Sequence, residues 1–284
     1  MTIRHGKTGR LFLLYLIICI YRIWNALEIE TQFDPDEYWQ TLEPAYNLVF
    51  TENEGITTWE WKFRGVESSR NFKSIVQYGP VRSHVSILPT YVFYQVVKIF
   101  GIDTSWMISR GPLVINAILV AATTDLSIYI LGGWWALFAS ITNWFHGYAL
   151  VRTYSNSLES MLLLLGMAII ILNDKKLGYH KIAFLLGGFS VTIRFTALAA
   201  WIPLGILTCH RLAEKKSQPG KFKLKYLCNI CGLYGMLGVV FGCIIDYFFY
   251  GHISIPFVSN TYFNAILGTT FLLKYNINSI PKVF

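Results

Sequence analysis

Charge is what this chain lacks. Of its 284 residues only 14% are Asp, Glu, Lys or Arg, against about 25% in soluble domains. That scarcity argues against a soluble globular domain. Cysteine is scarce as well, at five, an odd number. Cys19 and Cys243 lie in apolar runs. Cys228 and Cys231 form a CxxC inside an apolar segment, with no second Cys or His pair at metal spacing. Small hydrophobes fit these positions better than zinc or redox chemistry. There is no Asn-x-Ser/Thr acceptor, no evident repeat and no low-complexity tract. No small-x-small cleavage site follows the first apolar run, which favours an uncleaved first span with a cytoplasmic N-terminus over a signal peptide.

What is present is apolar: 54% of the residues, with a mean hydropathy of +0.45. The 9 Trp and 17 Tyr suit a protein with many interfacial positions. The expected fold is an all-α polytopic membrane protein. The net charge of +8 reads as basic cytoplasmic loops rather than a nucleic-acid footprint.

Residues 1–27 read as the first span, interrupted by Arg22. Residues 28–83 read as a lumenal loop, 84–250 as further spans and 251–284 as the C-terminal end. The candidate runs are Val85–Phe100, Pro112–Leu131, Trp134–Leu150, Met161–Leu172, Ile182–Leu207 and Tyr226–Tyr250. Two basic loops, Asp174–Lys181 and His210–Lys225, look cytoplasmic, so the run between them is expected to cross twice. Two short half-helices meeting at a lumenal turn near Arg194 would do so. Elsewhere the parity does not close. If each of the first four runs crossed once, Lys175 would lie on the wrong side, so one of the four is interfacial, re-entrant or split.

The densest carboxylates lie in Phe33–Phe50, FDPDEYWQTLEPAYNLVF. Asp34 suits a helix cap, Pro35 the first position, and Asp36 and Glu37 the first turn. Tyr38, Trp39, Leu42, Ala45, Tyr46 and Val49 then share one helix face. Asp36, Gln40, Glu43 and Asn47 share the other. An amphipathic helix on the membrane surface is expected here, with a simple helix cap as the bland reading.

Further polar residues interrupt the apolar runs. Arg152 opens RTYSNSLES, with Asn156 and Glu159 following. The bland reading pairs Arg152 with Glu159. Arg194 stands alone in Thr192–Thr196, with a snorkelling or ion-paired arginine as its bland reading. Asp125 is expected to pair with a basic group, and His146 and Asp246 read as structural. Polar groups at membrane depth are costly and face a cavity or partner. A lumenal side carrying carboxylates and Arg82, Arg152 and Arg194 suits transfer from a lipid phosphate. The leaving phosphate needs cations and an acceptor hydroxyl needs a base.

Phe33–Phe50, then Thr58-Trp59-Glu60-Trp61, Arg82-Ser83, RTYSNSLE over Arg152–Glu159, and Ile193-Arg194 before Thr196 resemble one family. It comprises the dolichyl-phosphate-mannose-dependent mannosyltransferases of the GT-C fold, glycosyltransferase family 22. PDEYWQ with TWEW is the specific part, and is most similar to the branch that adds the third, α-1,2-linked mannose to GPI-anchor precursors. The resemblance implies a GT-C-type bundle in the endoplasmic reticulum membrane with a lumenal active site. It also implies a dolichyl-phosphate mannose donor, a GPI glycolipid acceptor and an inverting displacement without cofactor. No metal-ligand spacing is visible, although DPDE offers a possible divalent site. Asp36 matches the family's first-loop acid and is the expected general base, with Glu37 second. Asp34, Gln40, Glu43, Trp59, Glu60, Arg82, Arg152, Asn156, Glu159 and Arg194 are the expected substrate contacts. Another family 22 enzyme, acting on the N-glycan precursor or adding the fourth GPI mannose, remains open, as does an inactive fragment or subunit.

Three departures stand out. Phe195 replaces the usual proline after the arginine, and Lys62–Val81 is longer than the usual link. The family's later spans and its His-Pro-Trp-His-Trp-like motif have no counterpart before Phe284.

Overall fold

The structure, a computed structural model, describes residues 2–30, 35–51, 55–64, 71–173, 176–214 and 219–267, with side chains from Gly9 onward. Helices α1 (Thr2–Glu28), α2 (Glu43–Phe50), α3 (Phe72–Tyr78) and α4 (Leu88–Phe100) come first. Then follow α5 (Ser105–Val120), α6 (Leu126–Thr142), α7 (Trp144–Ala149), α8 (Ser155–Leu172) and α9 (Leu177–Ile193). The series closes with α10 (Leu198–Ala213), α11 (Pro219–Tyr226), α12 (Leu233–Tyr250) and α13 (Pro256–Thr261). No strand occurs among the described residues. Among the described residues, five segments are long and apolar enough to cross a membrane: Gly9–Glu28, Ser105–Thr142, Ser155–Leu172, Phe195–Ala213 and Pro219–Tyr250. The molecule is an all-α polytopic membrane protein.

Gly133 decides how the longest of these segments is used. Its φ of 71° and ψ of −162° are open to glycine and strained for other residues. The chain doubles back there, and the Tyr129 and Trp134 rings meet at 4.9 Å across the bend. Before the bend, Leu113 and Ala117 pack on Ala26 and Ile29, at the end of α1. After it, Leu137 packs with Ile18 and Ala121. The Tyr21 hydroxyl then donates to the Ile141 carbonyl at 3.0 Å. The run from Trp134 therefore returns to the end of the bundle where α1 finishes.

Val85–Phe100 forms a 3₁₀ turn, His84–Ile87, and the 13-residue α4. Such a helix rises about 20 Å, short of the roughly 30 Å hydrocarbon core. It packs on α2 and leads into α5 at the same end of the bundle. Val85–Phe100 is not among the segments long and apolar enough to cross a membrane.

Around Arg194 the expected break is present and the expected lengths are not. Arg194 is extended (φ −148°, ψ 126°), between a 17-residue α9 and a 16-residue α10. Both helices extend beyond the apolar run into its flanks, so neither is a short half-helix.

Two features hold the bundle. Arg22 and Asp125, both fully buried, form a forked ion pair with two contacts of 2.8 Å. Arg22 also donates to the His146 carbonyl at 3.1 Å. The basic partner expected for Asp125 is thus the residue that interrupts the first apolar run. The second feature is a glycine seam between α9 and α12, which run parallel. A Cβ on Gly188 would lie 1.8 Å from the Gly235 carbonyl oxygen, and one on Gly238 would lie 2.1 Å from that of Leu185. Backbones approach this closely in membranes only through small residues.

Candidate functional site

The motif residues gather at the end of the bundle that carries the loops. Asp34 lies outside the described residues. Pro35 opens the first-loop helix by accepting from the Tyr38 and Trp39 amides at 3.1 and 3.2 Å. Tyr38–Leu42 is a π-helical stretch before α2. Its wider turn shifts the phase of the helix, and the expected two-face pattern is kept only in part, with Leu42, Ala45 and Val49 buried. Tyr38 and Trp39, expected on the apolar face, are exposed, while Glu37, Thr41 and Asn47 are buried. Asn47 donates to the Ile56 carbonyl at 3.0 Å, which removes it from the expected acceptor face. Asp36 is exposed, and Gln40 and Glu43 are half-buried.

The two neighbouring acids have different surroundings. Glu37 is 2% exposed. One of its oxygens meets Arg152 Nη1 at 2.6 Å, and the other accepts from the Thr153 amide at 3.2 Å. Arg152 also lies over the Tyr148 ring, 4.2 Å from its centroid. Thr41 donates to the Thr153 carbonyl at 2.8 Å, and the Asn116 amide bonds the Arg152 carbonyl. The partner expected for Arg152 was Glu159, seven residues on. The structure pairs it instead with Glu37, which ties the first loop to the start of α8. Glu37 and Arg152 line a small cavity of about 160 Å³ with Glu30, Tyr38, Ser109 and Arg110.

The other two arginines meet at a second cavity. Arg82 and Arg194 both line a space of about 340 Å³, closed by Phe195, Thr196, Phe257, Asn260 and Asn264. Each arginine has an acid behind it. Arg82 meets Glu60 at 3.0 Å, and Arg194 meets Glu159 at 3.2 Å and bonds the Asn156 side chain. A guanidinium has five N–H donors in a planar fork, so one carboxylate orients it and leaves donors for an anion. Trp59 supports this wall. Its ring lies tilted, 5.0 Å from that of Phe263, and the Arg64 guanidinium lies 5.2 and 5.1 Å from the two rings.

Asp246, expected to be structural, positions Arg82. It is fully buried near the end of α12 and accepts from the Ser83 hydroxyl at 2.8 Å and from the His84 amide at 2.7 Å. One turn on, the Tyr250 hydroxyl donates to the Arg82 carbonyl at 2.7 Å. Burial pushes His84 below its ordinary pKa of 6.5, against the opposing pull of Asp246. Asn260 donates to the Val81 carbonyl at 3.2 Å and accepts from Asn264 at 2.9 Å. Sequence reasoning missed this C-terminal wall. Its signal was present: Asn260 and Asn264 stand four apart, on one helical face.

Phe257 also lines an apolar groove of about 590 Å³ between α9, α10 and α12, whose other walls include Gly188, Trp201, Met236 and Val239. Among the described residues no group of three or more His, Cys, Asp or Glu side chains is placed to hold a metal.

The molecule is thus a polytopic helical membrane protein with acids and arginines gathered around polar cavities. Residues 13–270 match the Alg9-like mannosyltransferase family, and the chain belongs to that family. It is 31% identical over 258 residues to "Mannosyltransferase APTG1" of Arabidopsis thaliana, covering 87% of this chain and 42% of that protein. It is 28% identical to "GPI mannosyltransferase 3" of Yarrowia lipolytica, covering 98% of this chain and 52% of that one. With "GPI alpha-1,2-mannosyltransferase 3" of Bos taurus the identity is 29%, over 93% and 45%. The chain thus spans about half the length of these relatives. No solved structure gives a significant match.

Proposed function

We propose that the chain acts as a mannosyltransferase in GPI-anchor assembly. In this reading it moves mannose from dolichyl-phosphate mannose to the second mannose of the GPI precursor, making the third, α-1,2-linked residue. The names of the relatives support the acceptor, and the family supports the sugar. The observation that carries the reading is the convergence of Arg82 and Arg194 on one cavity that shares Phe257 with an apolar groove. In this reading the donor phosphate lies between the two guanidinium groups and its isoprenoid chain lies in the groove.

The chemistry then needs one base. The acceptor hydroxyl attacks the anomeric carbon as the bond to the donor phosphate breaks, and inversion turns a β-mannosyl phosphate into an α-mannoside. Asp36 takes the hydroxyl proton, and the arginines stabilise the charge on the departing phosphate. Glu37 is less suited, because Arg152 and Thr153 occupy its oxygens. Arg152 in turn acts here through Glu37, holding the acid-bearing helix. The site faces the lumen of the endoplasmic reticulum in this proposal, and no metal takes part.

The test is complementation of cells lacking the third GPI mannosyltransferase, with the accumulating GPI intermediates analysed. The full chain is expected to restore the third mannose. Asp36→Asn is expected to abolish transfer while the protein stays in the membrane. Wild-type transfer by that variant removes Asp36 from the base role. Failure of the unaltered chain, with membrane expression confirmed, refutes activity of this chain alone. Activity that is lost in EDTA and restored by Mn²⁺ refutes the metal-free reaction.

A further inference from the structure

At the opposite end of the bundle lies a cavity of about 670 Å³ that the proposed reaction does not use. It opens between the start of α9 and the junction of α11 with α12. From Lys181 here to Arg194 at the far end of α9, the helix rises about 20 Å. Lys181 and Lys225 are its two charged lining residues, Asn229 adds an amide, and none of its lining residues is acidic. The floor is apolar, from Phe222, Ile230 and Leu233.

The walls are built rather than incidental. Buried His180 joins the Tyr226 hydroxyl through Nδ1 at 2.7 Å and the Asn173 carbonyl through Nε2 at 3.2 Å. This clamps α9 to the last residue of α11. Lys181 is held with its ammonium 5.1 Å from the Tyr234 ring centroid. Leu227–Gly232 is π-helical, and this wider turn carries Asn229 and Ile230 at the cavity edge. The flanking sequence is basic on both sides, with Lys176 before α9 and Lys221 and Lys223 on α11.

We infer that this cavity binds an anionic glycerophospholipid, with its phosphate between Lys181 and Lys225 and an acyl chain along Ile230 and Leu233. Charge selects the occupant. A zwitterionic choline headgroup would bring a fixed cation against two ammonium groups with no carboxylate to receive it. A headgroup with a second anionic group, such as the carboxylate of phosphatidylserine, balances its own amine and gives each lysine an anionic partner. Basic pockets between helices at a membrane surface hold such lipids, at about 1 kcal/mol per lysine. A soluble phosphate has no use for the apolar floor.

The test uses the full chain, delipidated in detergent and titrated with phosphatidylserine, phosphatidylcholine or inorganic phosphate. Bound lipid is read by native mass spectrometry and stability by Tm. Phosphatidylserine is expected to remain bound and raise Tm, while phosphatidylcholine and phosphate do neither. Equal retention of phosphatidylcholine overturns the inference, and so does equal protection by phosphate alone. Lys181→Ala with Lys225→Ala is expected to weaken phosphatidylserine binding roughly 30-fold. Lys73→Ala, at an exposed position on α3, is expected to leave binding unchanged. If the double variant does not fold, Lys225→Gln on the exposed rim is expected to weaken binding about fivefold. Undiminished binding in whichever variant folds overturns the inference.

Discussion

Arg152 and Arg194 are two arginines of one sequence pattern with opposite circumstances. Arg152 is 2% exposed, shares its charge with Glu37 and stacks on a tyrosine. The Arg194 side chain is 35% exposed, leans on Glu159 and opens onto a cavity. The first holds elements together, whereas the second has donors to spare. The difference is one of solvation. A charge removed from water is tolerable only with a partner, and the partner then consumes it.

The comparison breaks most sharply at Arg152. Arg152→Ala strands Glu37 in the interior, and losing one member of a buried pair costs about 3–5 kcal/mol. The expected outcome is loss of folded protein, measured by monodisperse yield and Tm. Glu37→Gln with Arg152→Met is expected to recover much of that loss, since no lone charge remains. If Arg152→Ala folds normally and loses only transfer, the assignment of roles is reversed.

An effect of similar size, but local to one wall, is expected at Asp246. Asp246→Ala removes a carboxylate that receives two hydrogen bonds, each worth about 1.5–3 kcal/mol when one partner is charged. Ser83 and His84 are expected to loosen and the Arg82 wall to shift, so that transfer falls while part of the fold survives. Protease sensitivity near Arg82, compared with Tm, separates the two effects.

Arg194→Ala is expected to change stability least among the substitutions, by about 0–1 kcal/mol, as for half-exposed ion pairs. Its transfer rate is expected to fall about a hundredfold, the size of losing one preorganised donor at a developing charge. A Tm that drops as far as that of Arg152→Ala would erase the distinction.

The smallest effect is a pH dependence. His84 is buried and neutral, with a folded pKa below its ordinary 6.5. The unfolded chain therefore takes up the proton first as pH falls. The stability linked to His84 is complete above pH 6.5 and declines as pH falls toward the folded value. Tm measured between neutral and mildly acidic pH is expected to fall on that limb. His84→Gln is expected to flatten it.

Much of the fold was legible in the apolar runs, and the break at Arg194 was legible in one charged residue amid hydrophobes. Asp125 announced a basic partner for the same reason, that a carboxylate at membrane depth needs one. What could not be read was choice of partner. Glu37 and Arg152 are 115 residues apart, and sequence proximity pointed to Glu159. The two-face reading of the first-loop helix held only in part, because a π-helical turn changes the period on which such readings rest. Val85–Phe100 looked like a span because its composition is that of one, yet its helix is too short. Of the candidate site, the arginines and acids were visible singly. Their division between two cavities depended on tertiary packing.

The glycine seam bears on that division from a distance. α9 ends at Arg194, and α12 ends in the Asp246 and Tyr250 contacts that hold the segment of Arg82. The two helices are thus the legs of a caliper whose tips carry the cavity's two cations. Its setting is made within the membrane, where Gly188 and Gly238 leave no room for a methyl group. A side chain there would spread the legs and widen the gap between guanidinium groups that it never touches.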